Sequence, residues 1–356
     1  MKEKMQFDFT RRDFLRATAV SAVGITLGMN VLEGAEPAQK PLNYNPEMEY
    51  RRLGKTGLMV SAVCLGGHWK RIDTVVPNGG GINGPEFQKN RYDVVSRCIE
   101  RGINYIDACT SQEVLAYSRA LKGRRDKMYL GFSWYEQEMR NPEFRTTEKL
   151  LQTLERGMKD AGLDYVDVWR ITMHEQSSRH TEGEVEEMMK ALQKAKQQGK
   201  ARFVGFSSHD RPHIKWMIEK YPEVVEVVCT PYTAKTKVLP TDSLFDTVKK
   251  YQVGVFGIKP FASNSLFRGN SALNHPEAEE DNKRARLAIR YILCNPAITA
   301  PIPGLINIQQ VDNVALAVKE RRELDAKETV YLNQAADEMW ARLPDDYQWL
   351  KDWEYV

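Results

Sequence analysis

The sequence predicts an α/β protein with the architecture of a (β/α)8 TIM barrel in a single domain. Two observations carry this. Short apolar runs of strand character alternate with longer segments that are apolar at three- and four-residue intervals, the pattern of parallel βαβ units. Eight such repeats in about 300 residues is the count of a closed barrel. The doubly wound open sheet is the alternative, and no glycine-rich dinucleotide fingerprint follows the first strand to favour it.

The strands are expected at residues 60–65, 105–108, 128–132, 166–172, 203–206, 225–230, 253–258 and 298–301. Helical patterns fall at 91–101, 113–121, 146–161, 182–198, 211–220, 242–251 and 282–293. Chemistry in such a barrel sits where the strands end. That rim takes in residues 66–70, 107–112, 133–135, 170–174, 207–210, 230–235, 259–264 and 302–307. The long loop 71–86, with Gly79-Gly80-Gly81, has the composition of a lid or of a plain surface loop.

The charge balance is 51 basic against 48 acidic residues, interspersed, for a net charge of +3. That is no footprint for nucleic acid. The five cysteines are scattered, with no metal spacing, so no metal site is expected and buried thiols are the default. Cys64 and Cys109 fall near one rim, which leaves a disulfide between them open. His174 and His180, six apart in a loop, do not make a zinc pattern.

The N-terminus reads differently. Thr10-Arg11-Arg12-Asp13-Phe14-Leu15-Arg16 precedes an apolar stretch at 17–29, the layout of a twin-arginine export signal. The stretch is too short for a permanent membrane anchor. The expected organisation is a signal over 1–38, a linker over 39–47, and a barrel with a helical tail over 48–356. Export to the periplasm through the twin-arginine machinery follows from that reading.

Five segments carry a family resemblance. They are Arg52-Leu53-Gly54-Lys55-Thr56-Gly57-Leu58-Met59-Val60-Ser61 with Leu65-Gly66-Gly67; Gly102-Ile103-Asn104-Tyr105-Ile106-Asp107; Leu163-Asp164-Tyr165-Val166-Asp167-Val168-Trp169; Val204-Gly205-Phe206-Ser207-Ser208; and Ile302-Pro303-Gly304 through Asp312-Asn313. In this order, from about residue 48 to 317, the chain resembles the aldo/keto reductase superfamily. The resemblance implies a nicotinamide dinucleotide, NAD or NADP. It places Gly67, Ser207, Ser208, Thr230, Tyr232, Gly304, Gln309, Asp312 and Asn313 on the cofactor. Leu305, Asn307, Gln309 and Gln310 are neutral where cations would grip a 2′-phosphate, which favours NAD. No cysteine follows Cys294, so the iron–sulfur motifs of one subgroup are not expected.

The family's proton relay is largely replaced. Asp107 keeps its place, but Gln112, Ser133 and Thr172 stand where the resemblance expects tyrosine, lysine and histidine. Tyr117, the nearest tyrosine, falls inside a helical pattern. His174 lies two residues past the histidine position and points the same way if that strand continues. Lys259 ends the seventh strand, where burial would depress its pKa. His68 follows the two glycines of the first loop, and a buried Arg170 would need an acid such as Asp107 close by. Asp107, His174 and Lys259 are the catalytic candidates. The expected function is NAD(P)-linked reduction or oxidation of a carbonyl or hydroxyl group on a small molecule such as a carbohydrate, with Trp69, Trp134, Tyr135 and Phe261 available to stack on a sugar face. A cofactor-free isomerase or lyase on the same rim, or a non-catalytic binding protein, are the alternatives.

Overall fold

In the computed structural model the described residues are 40–76, 81–236, 238–320 and 322–351. The N-terminal segment read as an export signal lies outside them. An antiparallel hairpin comes first, β1 (Tyr50–Arg52) and β2 (Met59–Ser61), in register Arg51↔Val60. Eight parallel strands follow: β3 (Leu65–Gly66), β4 (Tyr105–Ala108), β5 (Tyr129–Phe132), β6 (Val166–Thr172), β7 (Ala201–Ser207), β8 (Val227–Pro231), β9 (Gly254–Ile258) and β10 (Ala300–Ile302). Each pairs with the next in sequence order. The ring is closed by Gly66 N donating to Pro303 O at 2.8 Å and Cys64 N to Pro301 O at 3.1 Å. The (β/α)8 barrel is therefore as expected, and the described residues form one compact unit.

The helices are α1 (Pro85–Glu100), α2 (Ser111–Ala120), α3 (Thr147–Ala161), α4 (Glu182–Gln197), α5 (Arg211–Lys220), α6 (Leu244–Tyr251), α7 (Ala278–Leu293), α8 (Ile308–Lys319) and α9 (Ala326–Ala341). Their starts obey local chemistry. Thr110, Thr146, Thr181, Ser243, Asn307 and Asp325 each accept from a backbone N–H of the first turn, satisfying donors that the helix leaves orphaned. A short 3-10 segment, Asp345–Lys351, ends the described chain. No helix among the described residues is long and apolar enough to cross a membrane.

The barrel interior is filled by side chains, not open. Tyr105, Tyr129, Val168, Phe203, Val227, Cys229 and Phe256 pack there, and the hairpin residues Leu53, Leu58 and Val60 close the lower end. The rings of Tyr105 and Phe256 meet at 4.4 Å across it. A filled lower end leaves only the opposite mouth for ligands.

One expected strand needs correction here. The run at 60–65 is not one strand, because Ser61 Oγ donates to Val63 O and Ser61 N to Asn104 Oδ1, turning the chain between β2 and β3. Within the segment read as a linker, Leu42 packs under the barrel and Asn45 Nδ2 donates to Glu100 O at the end of α1. All five cysteines are free thiols, with no bond between Cys64 and Cys109.

Candidate active site

β4 and β6 point one charged residue each into the mouth. Asp107 and Arg170 are both almost fully buried, and Arg170 Nε donates to Asp107 Oδ1 at 2.6 Å while Nη2 donates to Oδ2. Gly131 on the intervening β5 makes room, since a Cβ there would meet Tyr105 Oη at 2.2 Å and Asp107 Oδ1 at 3.1 Å. A buried ion pair of this kind needs both members, because either charge alone in the barrel would be costly. Arg170 thus takes the cation's place beside Asp107.

Two of the three altered positions, Ser133 and Thr172, are tied off. Ser133 Oγ donates to Glu138 Oε2 at 2.6 Å and lies 2.8 Å from Thr172 Oγ1. Thr172 N donates to the same carboxylate oxygen, and Trp134 N to the other. Burial pushes the Glu138 carboxyl up, while these hydrogen bonds oppose it. The knot commits both residues to Glu138 and to one another.

A cavity of about 340 Å³ opens above the ion pair. Its floor is Asp107 and Arg170, and its walls include His68, Cys109, Tyr135, Ser207, His209 and Lys259. Tyr347 and Trp349 of the C-terminal segment form the far wall. Trp349 stacks on His209 at 4.3 Å, and burial keeps that imidazole neutral, its pKa pushed far down. The rings of Tyr347 and Trp349 lie 5.4 and 5.7 Å from the Lys259 ammonium. Burial lowers the Lys259 pKa to about 8.

A second cavity adjoins the first and shares Lys70, Phe261, Asn264 and Gly304 with it. It runs toward the start of α8, past His275, Glu279, Asn307, Gln309 and Gln310. At the junction Lys259, Ala262, Ser263 and Asn264 all hold left-handed backbone (φ 58, 44, 58 and 68°). Strained conformations of non-glycine residues cluster at active sites, ligand clamps and switch regions. Gly304 permits close approach of two segments, a Cβ there meeting Gly67 O at 2.5 Å.

The candidates from sequence divide accordingly. Asp107, Lys259, Gly67 and Ser207 line the first cavity, Gly304 lines both, and Gln309 and Asn313 line the second. Asn313 also accepts from Arg286 Nη1 at 2.8 Å. His174 does not line either cavity: β6 ends at Thr172, the chain turns, and His174 Nδ1 accepts from Gln176 N instead. Ser208 is buried on Ser177 Oγ at 2.7 Å. Thr230 is sealed inside β8 without a hydrogen-bond partner for its Oγ1, and Tyr232 accepts from Asn295. Asp312 faces α1, where Arg101 and Arg97 hold it at 2.6 and 3.1 Å. These four correct the positions that the resemblance implied. Of the rim aromatics, Tyr135 and Phe261 face the cavity, whereas Trp69 and Trp134 are packed away from it. Tyr117 is no acid for the site, because its buried hydroxyl donates to Gly66 O and accepts from Trp69 Nε1.

Sequence reasoning missed one cluster at the mouth. Gly66 pairs with Asp107 in register, so the residues two positions beyond each, His68 and Cys109, stand side by side. Glu113 rises beneath them from the first turn of α2. Its Oε1 accepts from His68 Nδ1 at 2.7 Å and from His68 N at 2.5 Å, and its Oε2 from Cys109 N at 2.8 Å. Gly67 is required there, as a Cβ would lie 2.0–2.4 Å from the Glu113 carboxylate. Cys109 Sγ lies 3.5 Å from His68 Nδ1. Cys109 first, then Glu113, raises the His68 pKa to about 10, while burial raises that of the Cys109 thiol itself.

Comparison with known proteins agrees with this geometry. The model of the Aldo/keto reductase family matches residues 79–337. L-galactose dehydrogenase of Arabidopsis thaliana is 25% identical over 301 residues, which cover 78% of this chain and 90% of that protein. L-glyceraldehyde 3-phosphate reductase of Escherichia coli is 23% identical over 342 residues, covering 79% and 94% respectively. Among solved structures, an aldo-keto reductase from Klebsiella pneumoniae in complex with NADPH superposes with a TM-score of 0.61 at 18% identity, over 81% of this chain and 94% of that one. The holo form of an aldo-keto reductase from Bacillus halodurans gives 0.58 at 21% identity, over 81% and 96%. Barrel, register, retained Asp107 and family match converge, and the chain belongs to the aldo/keto reductase family.

Proposed function

We propose that the protein is a nicotinamide-dinucleotide-linked oxidoreductase acting on a carbonyl or hydroxyl group of a polyhydroxylated, sugar-like compound. The observation that carries this is the pair of adjoining cavities, joined at Lys70, Phe261, Asn264 and Gly304. One holds an ion pair and a titratable lysine; the other runs away from them along the barrel rim. A dinucleotide has that shape, with a reactive end, a charged middle and an adenosine end. The residues fit it: Lys70 and the left-handed turn 262–264 meet the phosphates, and Gln309 and Asn313 border the adenosine. The bound cofactor supplies or accepts a hydride.

The chain's own residues supply the rest. Arg170, locked by Asp107 and facing the cavity, offers a preorganised positive charge to the oxygen that gains electron density. Lys259, with a pKa near 8, gives that oxygen a proton in reduction and takes it back in oxidation. Polar groups on the wall, among them Arg140, Glu175 and Asp346, match hydroxyl groups, and Tyr135 and Trp349 present rings to a sugar face. Two relatives bear the names of enzymes of sugar compounds, which points the same way. Among the described residues the second cavity offers no lysine or arginine beyond Lys70 at its entrance, and Glu279 and Asp281 lie on its wall, so NAD is preferred over NADP.

Titration with NADH and NADPH tests this, followed by turnover on a panel of aldoses and their alcohols. Micromolar NADH binding, weaker NADPH binding and turnover of at least one sugar are expected. Failure of both dinucleotides to bind would end the reading. We further propose that Arg11-Arg12 and the apolar stretch after them direct export. Fractionation of cells expressing the full chain checks this, with Arg11→Lys/Arg12→Lys expected to retain the protein in the cytoplasm.

A further inference from the structure

We propose that His68, Cys109 and Glu113 form a binding site for a zinc-class divalent cation at the barrel mouth, with its open coordination position facing the reaction cavity. Three kinds of donor converge there, an imidazole nitrogen, a sulfur and a carboxylate oxygen, all within 4.8 Å of one another. Nitrogen, thiolate and carboxylate are the ligand types zinc takes, with bonds of about 2.0–2.3 Å in a tetrahedron. Those bond lengths set sulfur and nitrogen about 3.5 Å apart, and Cys109 Sγ lies 3.5 Å from His68 Nδ1. Nδ1 and Oε1 stand closer, at 2.7 Å, the distance of a pair sharing a proton. Metal binding displaces such a proton and lets the two atoms separate.

The surroundings argue for a cation. Glu113 is buried, and its only ion-pairing partner among the described residues is His68; no lysine or arginine reaches it. Buried carboxylates are ordinarily paired or bound to metal. The carboxylate is also held in place, by the backbone N–H groups of His68 and Cys109 and by the absence of a side chain at Gly67. Such outer support is what orients a ligand for a metal. His68 itself is kept in the left-handed region at φ 53°, which turns its ring toward Cys109 and Glu113.

The site's placement tells what the ion would do. His68 and Cys109 line the cavity while Glu113 sits behind them, so all three ligands lie on one side and the cavity on the other. Three protein ligands with a fourth position left open is the catalytic pattern for zinc, as against the closed four-ligand structural one. In that position an ion polarises an oxygen of the bound substrate, beside the charge that Arg170 already provides. This last role rests on the oxidoreductase reading above; the metal site itself does not.

The test is metal uptake by the full chain, purified without an affinity tag and stripped with chelator. Zinc titration by calorimetry should show one equivalent bound, and cobalt should give a thiolate-to-metal charge-transfer band. Cys109→Ser should abolish that band, and it and Glu113→Gln should each weaken zinc binding at least about tenfold. Cys294→Ser, a thiol far from the cluster, should leave both signals intact, and melting curves establish that each variant is folded. Absence of stoichiometric uptake by the wild type, or a cobalt band that survives Cys109→Ser, would overturn the proposal. NADH titration of the same samples separates the two readings. Metal uptake without nucleotide binding would uphold the site and defeat the oxidoreductase reading, and nucleotide binding without metal uptake would do the reverse.

Discussion

Arg170 of β6 reaches past β5 to grip Asp107 of β4, its Nε 2.6 Å from Oδ1, in a barrel mouth where both side chains are almost wholly buried. Two strands that do not pair with each other are thereby tied at the point where the reaction cavity begins. Replacing one partner strands the other charge. Arg170→Met is expected to cost roughly 3–5 kcal/mol of stability, whereas the double variant Asp107→Leu/Arg170→Met recovers most of that loss. Denaturant unfolding of the two singles and the double measures the coupling. Additive losses would mean the pair does not act as a unit.

Lys259 carries the pH dependence. Burial brings its pKa down to about 8, so it holds its proton below that pH and loses it above. Reduction, which consumes the proton, should therefore slow above about pH 8, and oxidation should slow below it. Lys259→Met should lower turnover and remove this limb from both profiles. A limb that persists in the variant would assign the proton to another group.

Tyr117 provides the opposite control. Its hydroxyl is committed to Gly66 O at 2.6 Å and to Trp69 Nε1 at 2.9 Å, outside the cavity. Tyr117→Phe should cost about 1–3 kcal/mol through those lost bonds and leave turnover by the folded enzyme unchanged. A loss of turnover by orders of magnitude, in a variant that melts normally, would return the tyrosine to the mechanism.

His180 predicts acid sensitivity. Its buried ring accepts from His174 N, and burial lowers its pKa to about 4 from the ordinary 6.5. The unfolded chain therefore takes up the proton first. The contribution is whole above about pH 6.5 and is lost as pH falls toward 4, on the order of 2–3 kcal/mol in all. His180→Gln, which keeps an acceptor but does not titrate, should flatten that part of the stability profile. Parallel profiles for variant and wild type would place the acid sensitivity elsewhere.

Much of the frame was legible because strand and helix periodicity are local. The run 211–220 matches α5 at both ends, and 166–172 matches β6. The dependence of Arg170 on a nearby acid was legible too, since a buried guanidinium has few other solutions. His174 was misplaced because its orientation hangs on where β6 stops, and a strand end is fixed by the partners it runs out of. Asp312 was misplaced for a like reason: which face of α8 meets α1 depends on packing, and Arg97 and Arg101 claimed it.

The sequence alone determined the alternation of strands and helices, the closed parallel barrel, and the rim on which any chemistry must sit, because each follows from short-range pattern and chain length. Tertiary structure alone decided what meets there. His68 and Glu113 lie 45 residues apart in the chain, and His68 and Cys109 41 apart, so no spacing rule joins them. The pairing of Gly66 with Asp107 brings their loops together, and an unbranched backbone at Gly67 lets the Glu113 carboxylate in. Residues distant in sequence become a site only when strand register sets them on the same edge.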